Sequence, residues 1–327
     1  MRFLTVRWLS GLIFLCAAAA GCGTPSFLVT PVSNTNKLEE VTLKEGKGGK
    51  IAIIPVEGMI SNAKEGGFLQ PTENPLSLFT QQLDLAASDS DVKAVVLRIS
   101  SPGGTVSSAD AMYEQILRFR KRTGKPVVAA FQEVAASGAY YIACGCDRIV
   151  AQPTSVVGSI GVIFYTFNIS GTLNKIGAQS EALKSGPLKD MGSPFRALNS
   201  EDRAVMQGMI DEYYARFVGV VTENRPGIPS QSLKTVTDGR VFSGRHAKDL
   251  GLVDELGLLE DAVRTTKKMA KAPHAEVIMY KRPYGYGGSI YASAPVPQPQ
   301  QASNVTQLTL PGASHFVPSG FYYLWNP

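Results

Sequence analysis

Ser137 and Lys189 are the two residues of this 327-residue chain whose types and settings suit covalent chemistry. Ser137 lies in Ala135-Ala136-Ser137-Gly138-Ala139-Tyr140-Tyr141, and Lys189 in Lys184-Ser185-Gly186-Pro187-Leu188-Lys189-Asp190. A serine hydroxyl attacks a carbonyl only when a neighbouring base removes its proton. The chain has three histidines, His246, His274 and His315, and none sits beside a candidate nucleophile in a glycine-rich or turn setting. A lysine is therefore the expected base, a known variant of the serine-triad logic. Lysine accepts a proton only when neutral, and a free one titrates near 10.4, so the base needs a pocket that disfavours its charge. Gly186 and Pro187 predict a tight turn that holds Lys189, with the Asp190 carboxylate pointing away from it.

The elements that must position these residues read as an α/β pattern. Ile51–Val56 reads as a buried strand, Leu76–Ala87 as an amphipathic helix and Lys93–Ile99 as a second strand. Ser101-Pro102-Gly103-Gly104 follows, then a helix over Ser107–Arg122 and a third strand over Pro126–Phe131. Strands alternating with helices predict mainly parallel pairing. Asn199 or Ser200 caps a long helix reaching Asn224, with Glu201 and Asp202 in its first turn. Asp238–Asp254 reads as a turn, a capped short helix and a strand. In this arrangement Ser137 starts a helix directly after a strand, where developing negative charge is favoured. The amides of Gly104 and Gly138 form the expected oxyanion hole, a device worth about 3 kcal/mol per donor. Ser159, in Val157-Gly158-Ser159-Ile160-Gly161, is the candidate hydroxyl beside the lysine.

Residues 1–22 read as a secretory signal peptide: Arg2 and Arg7, an apolar stretch from Trp8 to Ala20, then Ala19-Ala20-Gly21-Cys22. The apolar stretch is short for a membrane span, which needs about 20 residues. Cys22 resembles the acylated cysteine of a bacterial lipobox, with Ala19 in place of the usual leucine. Residues 23–48 have the Thr, Pro, Ser, Asn and Gly content of a tether, residues 49–283 form the catalytic domain, and 284–327 form a Pro-, Gly- and Gln-rich tail. Within that tail Phe321–Trp325 is apolar enough to dock on a protein surface. Cys144 and Cys146 are too close in sequence for a good disulfide and too few for zinc, and are expected to be buried small residues. The apolar share of 44%, charged share of 18% and net charge of +5 suit a globular protein with a substantial core and show no nucleic-acid-binding cluster. Neither a cofactor nor a metal is expected.

Singly, each motif has an ordinary counterpart: a helix N-cap for Ser137, a turn for Ser-Pro-Gly-Gly, a solvated pair for Lys189-Asp190, and a surface helix residue for His246. Together, in their order and spacing, they resemble the bacterial signal peptide peptidase A (protease IV) family in its short, single-copy form. The motifs carrying the resemblance are Ser101–Gly104, Ala136–Tyr141, Val157–Gly161, Ser185–Asp190 and Gly239–Asp254, and it covers about residues 50 to 280. The resemblance implies the Clp-protease/crotonase-like fold, a spiral of ββα units. It makes Ser137 the nucleophile, Lys189 the general base and Ser159 its support. It also implies a homo-oligomeric ring, expected to be octameric, in which serine and lysine meet between neighbouring subunits. Its substrates would be cleaved signal peptides and other small unfolded peptides, at the periplasmic face of the cell envelope in a Gram-negative cell. Ala139 stands where the family commonly has a second glycine.

Three other readings share parts of this pattern. A cytoplasmic Clp-like peptidase needs a His/Asp pair and a chaperone partner, and the signal segment speaks against it. A crotonase-type acyl-CoA enzyme needs neither Ser137 nor Lys189. A catalytically silent exported scaffold lipoprotein of the same fold would keep the ring without the reaction.

Overall fold

A computed structural model describes residues 37–63, 73–282 and 320–325. The signal segment 1–22 with Cys22, most of the tether and the tail up to residue 319 lie outside the described residues. The body is an α/β domain around one large sheet, in the strand order β1 (Glu39–Lys44), β11 (Glu276–Lys281), β2 (Lys50–Glu57), β3 (Val92–Ser101), β5 (Val127–Ala136), β6 (Arg148–Ala151), β10 (Glu255–Leu256). From β11 to β10 every pairing is parallel, and β1 closes one edge antiparallel to β11. This is the expected Clp-protease-like fold. One boundary moves: β1 lies inside the segment expected to be a tether, because β11 would otherwise present an unpaired strand edge.

The central strands are apolar on consecutive residues because both faces of the sheet are covered. On one face Ile51, Ile53, Ala94, Val96, Val128 and Ala130 pack with Leu259, Ala262 and Val263 of a helix over Leu259–Met269. On the other, Ala52, Ile54, Val95, Leu97 and Ala129 meet three helices: α1 (Pro75–Ser88), α2 (Val106–Thr123) and α3 (Gly138–Ala143). All six residues of α3 are buried. Burial pushes the Cys144 thiol up to about 12 and raises Cys146 as well, so neither cysteine supplies a thiolate at neutral pH. The fourth helix is the six-residue α4 (Ser170–Lys175). The long helix is α5 (Ser200–Asn224). Of the two expected caps Asn199 is the one used, and it forms a capping box: Asn199 Oδ1 accepts from the Asp202 amide at 2.7 Å, and Asp202 Oδ2 accepts from the Asn199 amide at 3.0 Å.

The motif ending at Asp254 keeps the expected order of turn, capped short helix and strand, with one strand added ahead of the helix. A strand, β9 (Val241–Ser243), precedes the short helix Gly244–Asp249, and Asp254 lies just before β10. The Asp254 carboxylate holds the Arg225 guanidinium bidentately at 3.0 and 2.9 Å and accepts from the Ile149 amide at 2.7 Å. Next to it, the Tyr140 hydroxyl donates to the Leu252 carbonyl at 2.8 Å, which anchors α3. His246 is exposed, as expected.

Removing Asp254 deprives a buried guanidinium and an amide of their shared acceptor. Asp254→Ala is expected to cost about 2–3 kcal/mol in urea unfolding. Asp84→Ala breaks only the exposed 3.3 Å pair with Arg122 and is expected to cost under about 0.5 kcal/mol.

Candidate active site

Ser137 stands where two neighbouring parallel strands break at one level. The end of β5 pairs with β7 (Val156–Gly158), with Ala136 opposite Gly158. The next residue on each strand turns into the left-handed region: Ser137 at φ 54° and Ser159 at φ 52°. The Ser137 amide donates to the Gly158 carbonyl at 2.7 Å, and the Ser159 amide to the Arg240 carbonyl at 2.7 Å. Non-glycine residues rarely adopt such angles, and the strain persists only where the surroundings impose it. Here the imposed kink turns the chain from strand into α3 in a single residue. Ser137 is 1% exposed, and its Oγ has no hydrogen-bond partner among the described residues. The sequence places Ser137 at a helix N-cap, but its side chain makes no capping bond.

The double glycine lies beside it. Ser101 is fully buried, donates to the Gly58 carbonyl at 2.6 Å and accepts from the Gly103 amide at 3.1 Å. Strand β4 (Gly103–Thr105) then bonds Ile60 on one edge, through Gly103 O at 2.8 Å and Thr105 N at 2.8 Å. Backbone groups alternate sides along a strand, so the Gly104 amide faces the opposite edge. A Cβ on Gly104 would lie 1.8 Å from the Ile60 carbonyl oxygen, so only glycine admits this approach. A Cβ on Gly138 would lie 3.2 Å from the Gly104 nitrogen. The structure thus brings Gly104 and Gly138 together beside Ser137.

Lys189 is not part of that cluster within one chain. It is exposed, and its ammonium makes no hydrogen bond or ion pair among the described residues. Its turn is present: the Lys189 amide donates to the Gly186 carbonyl at 3.2 Å. The Asp190 carboxylate turns away to Arg196 and Lys184, both at 2.8 Å. Those hydrogen bonds, the arginine's first, hold its carboxyl below the usual carboxylate range. The segment around Lys189 is poorly covered: Ile176 is 72%, Leu183 96% and Phe195 47% exposed, and α4 buries no residue at all.

The docking expected of the C-terminal apolar run has a definite destination. Strand β12 (Gly320–Leu324) inserts between β4 and β8 (Ile163–Tyr165), antiparallel to both, and makes a second, three-stranded sheet. Sequence reasoning named Ser101 in a motif without giving it a role, and missed Ile60 and the residues that receive β12. The apolar character of residues 321–325 was the one available signal for the last of these.

A family profile described as peptidase family S49 matches residues 119–273. A protein of Enterococcus faecium, provisionally named signal peptide peptidase SppA, is 37% identical over 76% of this chain and 72% of its own length. Protease 4 of Salmonella typhi is 36% identical over 68% of this chain and 35% of its own length. The solved structure of a 1510-N membrane-bound stomatin-specific protease aligns at 14% identity with a TM-score of 0.45, over 71% of this chain and 98% of that one. The chain belongs to peptidase family S49, in the group of signal peptide peptidase A and protease 4.

The backbone at Ser137 sets a stability test. Glycine adopts φ 54° freely whereas alanine does not. Ser137→Gly is therefore expected to be more stable than Ser137→Ala by about 1 kcal/mol in thermal or urea unfolding. A normal strand-to-helix junction would favour alanine instead.

Proposed function

We propose that this chain is a membrane-associated serine endopeptidase with a Ser137–Lys189 dyad, acting on cleaved signal peptides and other small unfolded peptides. The observation that carries this reading is the buried, unpartnered Ser137 hydroxyl on a strained backbone beside the Gly104 and Gly138 amides. A hydroxyl held without a partner in a dry site is an unspent donor, and a structural serine would have found an acceptor.

In the proposed reaction Ser137 Oγ attacks the peptide carbonyl while the neutral Lys189 Nζ takes its proton. The Gly104 and Gly138 amides receive the negative charge on the carbonyl oxygen. Collapse breaks the C–N bond, and the lysine proton passes to the leaving amine. Water then attacks the acyl-serine, gives a proton to Lys189 and releases the acid, and the lysine proton returns to Ser137. Ser159 supports the lysine, from its place just after β7, the strand that pairs with the end of β5.

The lysine comes from a second copy of the chain, in a homo-oligomeric ring of eight subunits. Two features support this: Lys189 is exposed within its own chain, and Ile176, Leu183 and Phe195 flank it with apolar surface that an adjoining subunit would cover. The ring is exported, reached by the signal segment 1–22 and tethered at Cys22. No described helix is long and apolar enough to cross a membrane.

The reading is tested by mass spectrometry after treatment with a fluorophosphonate probe. Ser137 is expected to be labelled in the unaltered chain, and Lys189→Ala to slow that labelling by at least about a hundredfold. Mixing Ser137→Ala with Lys189→Ala subunits is expected to restore peptide cleavage, because each variant supplies what the other lacks. A mixture as inert as its components would rule out a dyad shared between subunits.

A further inference from the structure

The Gly104 amide, assigned above to the oxyanion hole, follows a residue with no conformational preference of its own. Gly103 stands at φ 102°, and glycine adopts positive and negative φ about equally. Bonds at its two ends therefore set its conformation. At one end the Gly103 amide donates to Ser101 Oγ at 3.1 Å. At the other the Gly103 carbonyl accepts from the Ile60 amide at 2.8 Å. The Gly103 carbonyl and the Gly104 N–H belong to one planar trans peptide and point in opposite directions. Holding the carbonyl on Ile60 thus aims the Gly104 N–H away from Ile60, at the other edge of β4.

Both ends lead back to one hydroxyl. Ser101 Oγ donates to the Gly58 carbonyl at 2.6 Å, 43 positions away in the chain, and Gly58 stands just before the residue that leads into Ile60. Ser101, Gly58, Ile60 and Gly103 close a circuit. It ties the segment leaving β2 to the turn leaving β3 and keeps Ile60 where it bonds both Gly103 and Thr105. Ser101 is also in register with Ala135 of β5, so the circuit is built on the strand beside the one that carries Ser137. A serine in Ser-Pro-Gly-Gly makes a turn simply by accepting from the amide two residues on. The bond to Gly58 has no part in that turn, and Ser101 makes both bonds while fully buried.

We infer that Ser101 is a positioning residue for acyl transfer: its hydroxyl latches the 58–60 and 103–105 segments together and thereby holds the Gly104 amide on the oxyanion. The inference rests on the serine peptidase reading, in which Gly104 is an oxyanion donor. Without the hydroxyl a buried amide loses its acceptor. Gly103 then relaxes about φ, and the 103–104 peptide turns with it. An oxyanion donor acts over a narrow range of distance, and a misplacement of about 1 Å costs about a hundredfold in rate. Ser101 touches no reacting atom, so the loss falls on the chemical step rather than on peptide binding.

The test uses full chains carrying Ser101→Ala, Ser101→Cys or Ser101→Thr. Hydrogen exchange over residues 101–105 is followed by mass spectrometry, beside fluorophosphonate labelling of Ser137 and peptide cleavage. In Ser101→Ala the amides of this segment are expected to exchange at least about tenfold faster. The maximal labelling rate and kcat per folded site are expected to fall about a hundredfold, with KM within about threefold of the unaltered chain. Ser101→Thr keeps the hydroxyl and is expected to recover most of the loss, and Ser101→Cys, a weaker donor and acceptor, to fall between. If alanine prevents folding, the order of serine, threonine and cysteine in kcat carries the same test. A serine that only builds the turn would lower the melting temperature and leave kcat per folded site unchanged, and that result overturns the inference. Threonine and cysteine both as slow as alanine, or a loss confined to KM, overturns it as well. If exchange rises as expected while Ser137 of the unaltered chain never reacts with the probe, the latch stands as structure and the peptidase reading falls.

Discussion

The bond from the Ser137 amide to the Gly158 carbonyl is the constraint on which the site depends. It ties the last residue of β5 to the end of β7 at the level where both strands leave the sheet. With that bond made and α3 already beginning, Ser137 has no ordinary backbone conformation left, and it takes φ 54°. The kink removes the hydroxyl from its usual capping role and leaves it buried without a partner. A strain of a few kcal/mol is sustained because α3 is anchored elsewhere. Tyr140 bonds to Leu252, Tyr141 bonds to Asp110, and all six helix residues are buried.

Glycine at 103 and 104 follows from the same crowding. The bond through Ile60 brings β4 so close that a side chain at Gly104 would overlap a carbonyl oxygen. That contact also commits one edge of β4, and β12 pairs with the other. The groove is therefore defined by what is already bonded: Ile60 on the near side of β4, and β8 across the gap. An extended segment fits between them because both walls are strand edges. β12 does so within the chain.

Charge is handled differently in the two halves of the proposed dyad. Around Ser137 the environment is dry and the polar groups are backbone amides, which stabilise an anion without bringing in a counter-charge. Around Lys189 the neighbouring Asp190 carboxylate is engaged by Arg196 and Lys184. The nearby ion pair from Arg196 to the buried Asp202 fixes that arrangement against the start of α5. Lys189 is thus left exposed, with no side-chain partner among the described residues, on a surface where Ile176, Leu183 and Phe195 are also exposed.

Local pattern alone determined most of the elements and the motif residues. Continuous apolar runs marked β2, β3 and β5 because a doubly covered parallel sheet needs no alternation. Asn199 with Asp202 marked the start of α5 because capping chemistry is local. Ser137, Gly104, Gly138 and Lys189 could be singled out only as a set, because each alone has an ordinary counterpart and it is their order and spacing that is unusual. Tertiary structure decided what depends on residues far apart in the chain. No local signal could join β1 to β11, seat residues 320–325 against Gly104, or set Tyr323 between Tyr141 and Phe217, since each pairing satisfies backbone or ring surface supplied by a distant segment. The same holds for the kink at Ser137: its sequence is that of an ordinary helix start, and only the bond across to Gly158 makes it something else.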